Sequence, residues 1–188
     1  MANERLMPFR DYDEHDVLNL FAFGDTAVLL NSSTTVQAGS IVKIKTGWSN
    51  TDETQLLTDV GASYNNVVSQ RYGVNAEVEY ANGGSETLLG ITLYDVREFD
   101  ENGESLKFNP QKAAELNAAI SGQAVPIATK GTFLFATGAF TAADALEPGS
   151  TLYATGNGQL SPTAGGVAVG KALGDSDADG SVLVKIEL

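Results

Sequence analysis

The residues best placed by type and spacing for chemistry are three aspartates at alternate positions, Asp175, Asp177 and Asp179, with Gly180 directly after them. Asp-x-Asp-x-Asp-Gly is how a calcium loop opens: carboxylates two residues apart can converge on a hard cation, and the glycine lets the chain turn sharply. Such a loop closes with a bidentate Glu at its twelfth position. Counted from Asp175 that position is Ile186, and Glu187 comes one residue late. A strand-like run, Val182 to Leu188, also stands where the calcium motif has a helix. A solvated hairpin turn, for which Asp-Gly is well suited, is therefore the preferred reading. The three aspartates are the one metal candidate, and no cofactor is expected.

Other chemistries find fewer parts. His15 is the only histidine and lies among Asp11, Asp13, Glu14 and Asp16, where a lone imidazole is ordinarily solvated. No G-x-S-x-G elbow accompanies it, and the chain has no Cys, so cysteine nucleophiles, thiolate metal sites and disulfides are excluded. Gly83-Gly84 and Gly165-Gly166 do not open helices and so do not cradle phosphate. Trp48, Tyr64 and Tyr72 could stack on sugars or bases, but no run of basic residues interleaves them. An enzyme is not expected.

The charge balance narrows the partners. Twenty-four acidic against 11 basic residues give a net charge of -13, which repels phosphate backbones and anionic membranes. Neither nucleic acid nor membrane is an expected partner. The N-terminus, with Glu4, Arg5, Arg10 and Asp11, lacks the apolar core of a secretory signal, and no apolar run is long enough for a spanning helix. A contact surface, if there is one, is expected to meet protein.

The elements that would carry such a surface read as mainly β. Val125–Ile127, Gly131–Phe135, Leu146–Tyr153, Gly166–Leu173 and Gly180–Leu188 are short apolar or alternating runs bounded by Gly, Pro, Asp or Asn. Pro148-Gly149 suits a turn, Pro presetting φ and Gly accepting a positive one. Val36–Lys45, Val74–Tyr80 and Leu88–Phe99 give further strands, with Asn82-Gly83 and Asn102-Gly103 as hairpin signals. One helix is expected from Asn109, an N-cap before Pro110, to Gly122, with Ala113, Leu116, Ala119 and Ile120 on one face. The organisation predicted is an extended N-terminal arm over 1–20 and a β domain over 21–108 with a loop insertion at about 48–78. A linking helix over 109–122 and a C-terminal β domain over 123–188 complete it, each β domain a small antiparallel barrel or sandwich.

Two related halves are suggested by recurring segments. Gly24–Leu29 resembles Lys130–Phe135, Val36–Val42 resembles Leu146–Leu152, and Leu88–Asp95 resembles Ala168–Asp175. The alternative is chance recurrence of turn residues.

The strand at Lys130–Phe135, the turn and strand at Glu147–Tyr153, Val169–Leu173, the Asp/Gly turn and Val182–Ile186 together resemble the small β domain of tailed-phage capsid decoration (cement) proteins. Asp13–Phe21 resembles the leader of cyanophage head proteins. The resemblance implies a structural virion protein, made in the host cytoplasm and bound to the outer surface of an expanded capsid, which it stabilises. Its partners would be the major capsid protein and copies of itself, a trimer favoured and a dimer open. Phe9, Leu20, Phe21 and Phe23 would be apolar anchors toward the capsid or a sister subunit, with Trp48, Tyr64 and Tyr72 as further contacts. The rival is a phage tail or surface adhesin module that binds carbohydrate through the Trp48–Tyr72 loop.

Overall fold

Alternation decides the secondary structure. In Val182–Glu187, Val182, Val184 and Ile186 are buried while Lys185 and Glu187 face solvent, the period of two that a half-buried strand requires. The computed structural model describes residues 4–24, 35–47, 74, 76–84, 86–120, 122–141 and 146–188. In these the strands are β1 (Leu6–Asp11), β2 (Val17–Phe23), β3 (Ile41–Thr46), β4 (Glu77–Tyr80), β5 (Leu88–Thr92) and β6 (Asp95–Val96). They continue as β7 (Ala118–Ala119), β8 (Ala124–Ala128), β9 (Lys130–Phe135), β10 (Thr151–Thr155), β11 (Gln159–Ser161), β12 (Ala168–Ala172) and β13 (Val182–Glu187), with a single α-helix, α1 (Pro110–Glu115). The protein is mainly β, as expected.

Two sheets hold nearly all of it. Strands β2-β4-β3-β5-β8 close into a barrel, and β1-β9-β13-β12-β10-β11 form a six-stranded sheet; β6 and β7 make a small parallel pair. The arm docks on its own body: β1 adds antiparallel to β9 as the sheet's edge. The chain passes from barrel to sheet at Thr129. Its N–H and Oγ1 both donate to the Asp16 carbonyl (2.9 and 3.0 Å), and its carbonyl accepts the Leu188 N–H (3.0 Å).

The two sheets repeat one plan. In the barrel β3 pairs with β4 and β5, β5 with β8, and β8 with β2; in the sheet β10 pairs with β11 and β12, β12 with β13, and β13 with β9. The barrel closes by a parallel contact of Phe23 with Val78, and Phe140 makes a parallel bridge to Leu160 at the matching place. Both middle pairs carry the same one-residue slip, between Val42 and Lys43 against β5 and between Leu152 and Tyr153 against β12.

The turns that start β3 and β10 also match. Ser40 N–H donates to the Gln37 carbonyl and Ser150 N–H to that of Glu147 (3.2 and 3.0 Å), with Gly39 and Gly149 at φ +86° and +88°. That is the type II geometry that asks for glycine. Gly39 N–H then bonds Thr92 and Gly149 N–H bonds Ala172, each returned through the next serine. Two of the three sequence correspondences therefore hold, Gly39 with Gly149 and Gly90 with Gly170. The third, Gly24–Leu29 with Lys130–Phe135, falls on residues 25–29, which lie outside those described; in the pairing order β9 is matched by β2.

Three expectations change. Asn82-Gly83 does not make a two-residue hairpin, because β3 lies between β4 and β5 and the connection must cross it; Glu86 holds the Asn82 N–H (2.8 Å). The helix ends at Glu115, not near Gly122. Asn109 caps it through Lys112 N–H (3.2 Å) as read, but Asn117 takes the left-handed position at φ +47° and closes it. Ala118 and Ala119 then pair with β6. Ala119 and Ile120 are buried all the same, as strand-like chain rather than as a helical face. Finally, α1 is no joint between halves but part of the connection from β5 to β8 within the barrel.

The barrel encloses Phe21, Phe23, Val36, Val42, Val78, Val125 and Ile127. A second core fills the sheet with Phe133, Phe135, Phe140, Leu152, Leu160, Val184 and Ile186, and runs on to Ile41, Ile91, Leu93 and Ala128 on the outside of the barrel. Arg5 ties this junction: its Nη1 donates to Ser40 Oγ (2.9 Å) and to the carbonyls of Asn157 (2.9 Å) and Gly158 (3.3 Å), and burial pushes its pKa down.

Candidate functional site

A side chain can anchor a partner only if it is on the surface. Phe9 on β1 and Leu20 on β2 are, at 52% and 51% exposed. Leu20 is turned out by the register slip between Leu18 and Phe21, which puts it and Asn19 on the outside together. Phe21 and Phe23 are not available. Beyond the slip the strand resumes its inward face, and Phe23, 2% exposed, packs edge-on against Tyr80. Their expected contact role is corrected to a core role. Trp48, Tyr64 and Tyr72 lie outside the described residues.

The three aspartates sit exposed in the connection from β12 to β13. Asp177 Oδ1 accepts the N–H groups of Asp179 (3.0 Å) and Ser181 (2.8 Å), and Asp177 N–H donates to the Ser181 carbonyl (3.0 Å). The carboxylate thus serves the turn's own backbone. Among the described residues, no group of three or more His, Cys, Asp or Glu side chains is arranged to hold a metal ion. His15 is exposed in a short 3-10 turn, its backbone N–H bonded to Asp13 Oδ1 (2.9 Å).

Two clefts border the arm. A groove of about 350 Å³ runs between β2, β8 and α1, with Asn19, Tyr94, Pro110, Ala113, Ile120 and Pro126 among its walls. Its lining is aliphatic and amide apart from the Tyr94 phenol, which suits burial of an apolar side chain, and it holds no carboxylate, imidazole or amine base. A smaller cleft, about 250 Å³, gathers Glu4, Arg5, Arg10, Asp95, Arg97 and Glu101. Arg10 donates there to the Leu93 carbonyl (3.0 Å). Burial pushes the Asp95 carboxyl above the usual range, against the opposing Ala38 N–H on Oδ1 (2.9 Å).

One exposed apolar residue was not singled out from the sequence. Phe108, 73% exposed, is the most open large apolar side chain described, and it stands two residues before groove-lining Pro110. The signal was legible. Phe108 occupies the place before the N-cap, where an apolar residue normally staples against the fourth helical position, and here that position is Ala113, too small to cover it.

No family model, curated protein or solved structure matches the chain. The surface itself carries the functional reading.

Proposed function

We propose that this chain is a structural protein that binds the outer surface of a tailed-phage capsid as a homo-oligomer and stabilises the expanded head. The carrying observation is the pair of exposed apolar side chains beside the groove between β2, β8 and α1, Leu20 next in the chain to groove-lining Asn19 and Phe108 two residues before Pro110. Large aliphatic and aromatic side chains beside a groove, without a catalytic set, are what a protein contact uses. The segments that resemble the cement domain, Lys130–Phe135 through Val182–Ile186, supply β9, β10, β12 and β13 of one sheet. Phe9 lies on the free edge strand β1, and Leu20 on the neighbouring β2.

The test is co-sedimentation of the purified protein with expanded, undecorated heads. Saturable binding at a stoichiometry set by capsid symmetry is expected, and Leu20→Ser with Phe108→Ser should weaken it while the fold is kept. No binding at micromolar protein would overturn the capsid reading, and glycan binding by the isolated protein would put the adhesin in its place.

A further inference from the structure

The outer face of the C-terminal sheet contradicts the composition of the chain. Lys171 on β12 is directly opposite Lys185 on β13, and the row continues through Thr151 on one side and Thr132 on the other. Lys130 is one strand further along, opposite Glu187. Like charges facing each other across strands destabilise a sheet, yet this chain, with more than two acids for every base, gathers three of its 11 basic residues here.

Of the four lysines elsewhere, Lys107 lies over the Phe108 ring and the other three are matched by carboxylates. Lys43 pairs with Glu79 and Glu86, Lys45 with Glu77, and Lys112 with Asp100 and Glu104. On this face Lys185 reaches Glu187 (3.3 Å), both ends being exposed, and among the described residues Lys171 and Lys130 have no carboxylate within ion-pair distance. Between the lysines the surface is open. Ala168 and Gly170 supply almost no side chain, and with Thr151, Lys171, Lys185 and Glu187 they border a shallow groove of about 350 Å³.

The internal repeat shows what this face does in the other copy. Ile41, Ile91 and Ala128 stand in the barrel where Thr151, Lys171 and Lys185 stand in the sheet, and all three are fully buried in the shared core. Leu93, buried against the sheet, is matched by Leu173, 47% exposed. In one copy the face is an interface within the chain; in the other it is open and cationic.

We propose that the groove at Gly170 docks an acidic segment of a partner protein, with carboxylates placed between Lys171 and Lys185. Charge complementarity selects the occupant: a short acidic segment can confine its carboxylates to the lysines, whereas a nucleic acid would carry its regularly spaced phosphates on over the rest of a surface whose net charge is -13. This inference does not depend on the capsid reading.

The experiment is an amide NMR titration of the full chain with a glutamate octapeptide, and in parallel with a short DNA duplex. Saturable shifts are expected at Thr151, Ala168, Gly170, Lys171, Lys185 and Glu187, reversed by salt, with the paired Lys43 and Lys112 unmoved. Lys171→Gln and Lys185→Gln should each weaken the peptide about fivefold, the worth of one exposed ion pair. Lys171→Gln should also raise the urea midpoint, since it removes the like-charge pair, a gain that a merely structural lysine would not give. Absence of shifts at millimolar peptide, or equal shifts in both variants, would overturn the proposal. So would DNA moving the same residues at equal or lower concentration.

Discussion

The barrel and the C-terminal sheet are one plan executed twice, and they differ in what was added and in which face was covered. The barrel connects β3 to β4 through residues 47–76, where the sheet needs only Gly156–Gly158 between β10 and β11. The barrel also joins β5 to β8 through β6, α1 and β7, where the sheet has the aspartate turn. The strands, their slips and their starting turns are kept; the connections and the outer surface are not. The pairing frame is therefore separable from surface chemistry, and each half can be altered at matched positions to see whether the equivalence is energetic as well as geometric.

The largest expected effect is at the closing phenylalanines. Phe23 and Phe140 mark the parallel contact in the two halves and are both buried. Truncating either to Ala should cost about 3–5 kcal/mol, the usual penalty for emptying an aromatic site in a core. Urea unfolding would check it. A small loss at Phe140 beside a large one at Phe23 would break the comparison, since it would mean that the bridge to Leu160 closes nothing.

The matched close approaches come next. A Cβ on Gly90 would overlap the Ala128 carbonyl, and one on Gly170 the Lys185 carbonyl. Both obstacles are backbone of the neighbouring strand, which cannot swing aside. Gly90→Ala and Gly170→Ala should each destabilise by about 1–3 kcal/mol, as overpacking does. Gly174→Ala, with nothing within 4 Å of the new atom, should leave the midpoint where it was.

The barrel's extra connection from β5 to β8 carries two carboxylates of opposite character, Asp100 buried and Asp95 half-buried. Hydrogen bonding from Lys112 holds the Asp100 carboxyl below its ordinary value, helped by the Glu104 and Asn102 N–H groups (2.7 and 2.9 Å). Asp95 is raised by burial. For Asp100 the unfolded chain holds more protons below pH 3.8, so its stabilisation is complete above that pH and is lost as pH falls through the lowered folded value. For Asp95 the folded chain holds more, so stability falls as pH rises from 3.8 through the raised value. Asp100→Asn should therefore lower the urea midpoint at pH 7, and Asp95→Asn should raise it. Both differences should shrink in acid. Matching signs for the two variants would contradict the geometry.

How much of this could be read in the residues follows from the range of each interaction. Local signals were legible: the Pro148-Gly149 turn, the Asn109-Pro110 helix start and the alternation in Val182–Ile186 all need only a few neighbours. Asn82-Gly83 misled because a turn residue reports only that the chain turns, not which strand lies beside it, and β3 was supplied from 40 residues away. Phe21 and Phe23 looked like anchors because an apolar run beside an acidic leader has no visible inside until β4 and β8 enclose it. Asn117 was overlooked because Gly122 is the better left-handed residue by propensity, whereas pairing of Ala118-Ala119 with Asp95-Val96 decided where the helix stopped. The Lys171–Lys185 pair depended on register, which no single strand reveals.

The smallest effect tests the one segment that has no equal in the barrel. In the turn from β12 to β13, Asp177 Oδ1 holds two backbone N–H groups, and Thr137 Oγ1 reaches the Asp179 carbonyl (3.2 Å) from the turn after β9. Asp177→Ala should cost about 1 kcal/mol through the lost side-chain hydrogen bonds. The loss should be the same with millimolar calcium or with chelator, because the carboxylate is already committed to the backbone. Asp175→Ala, whose side chain takes no such part, should cost less than half as much. Calcium-dependent stabilisation that disappears in both variants would give the three aspartates back to a cation, and the connection from β12 to β13 would then be its ligand site.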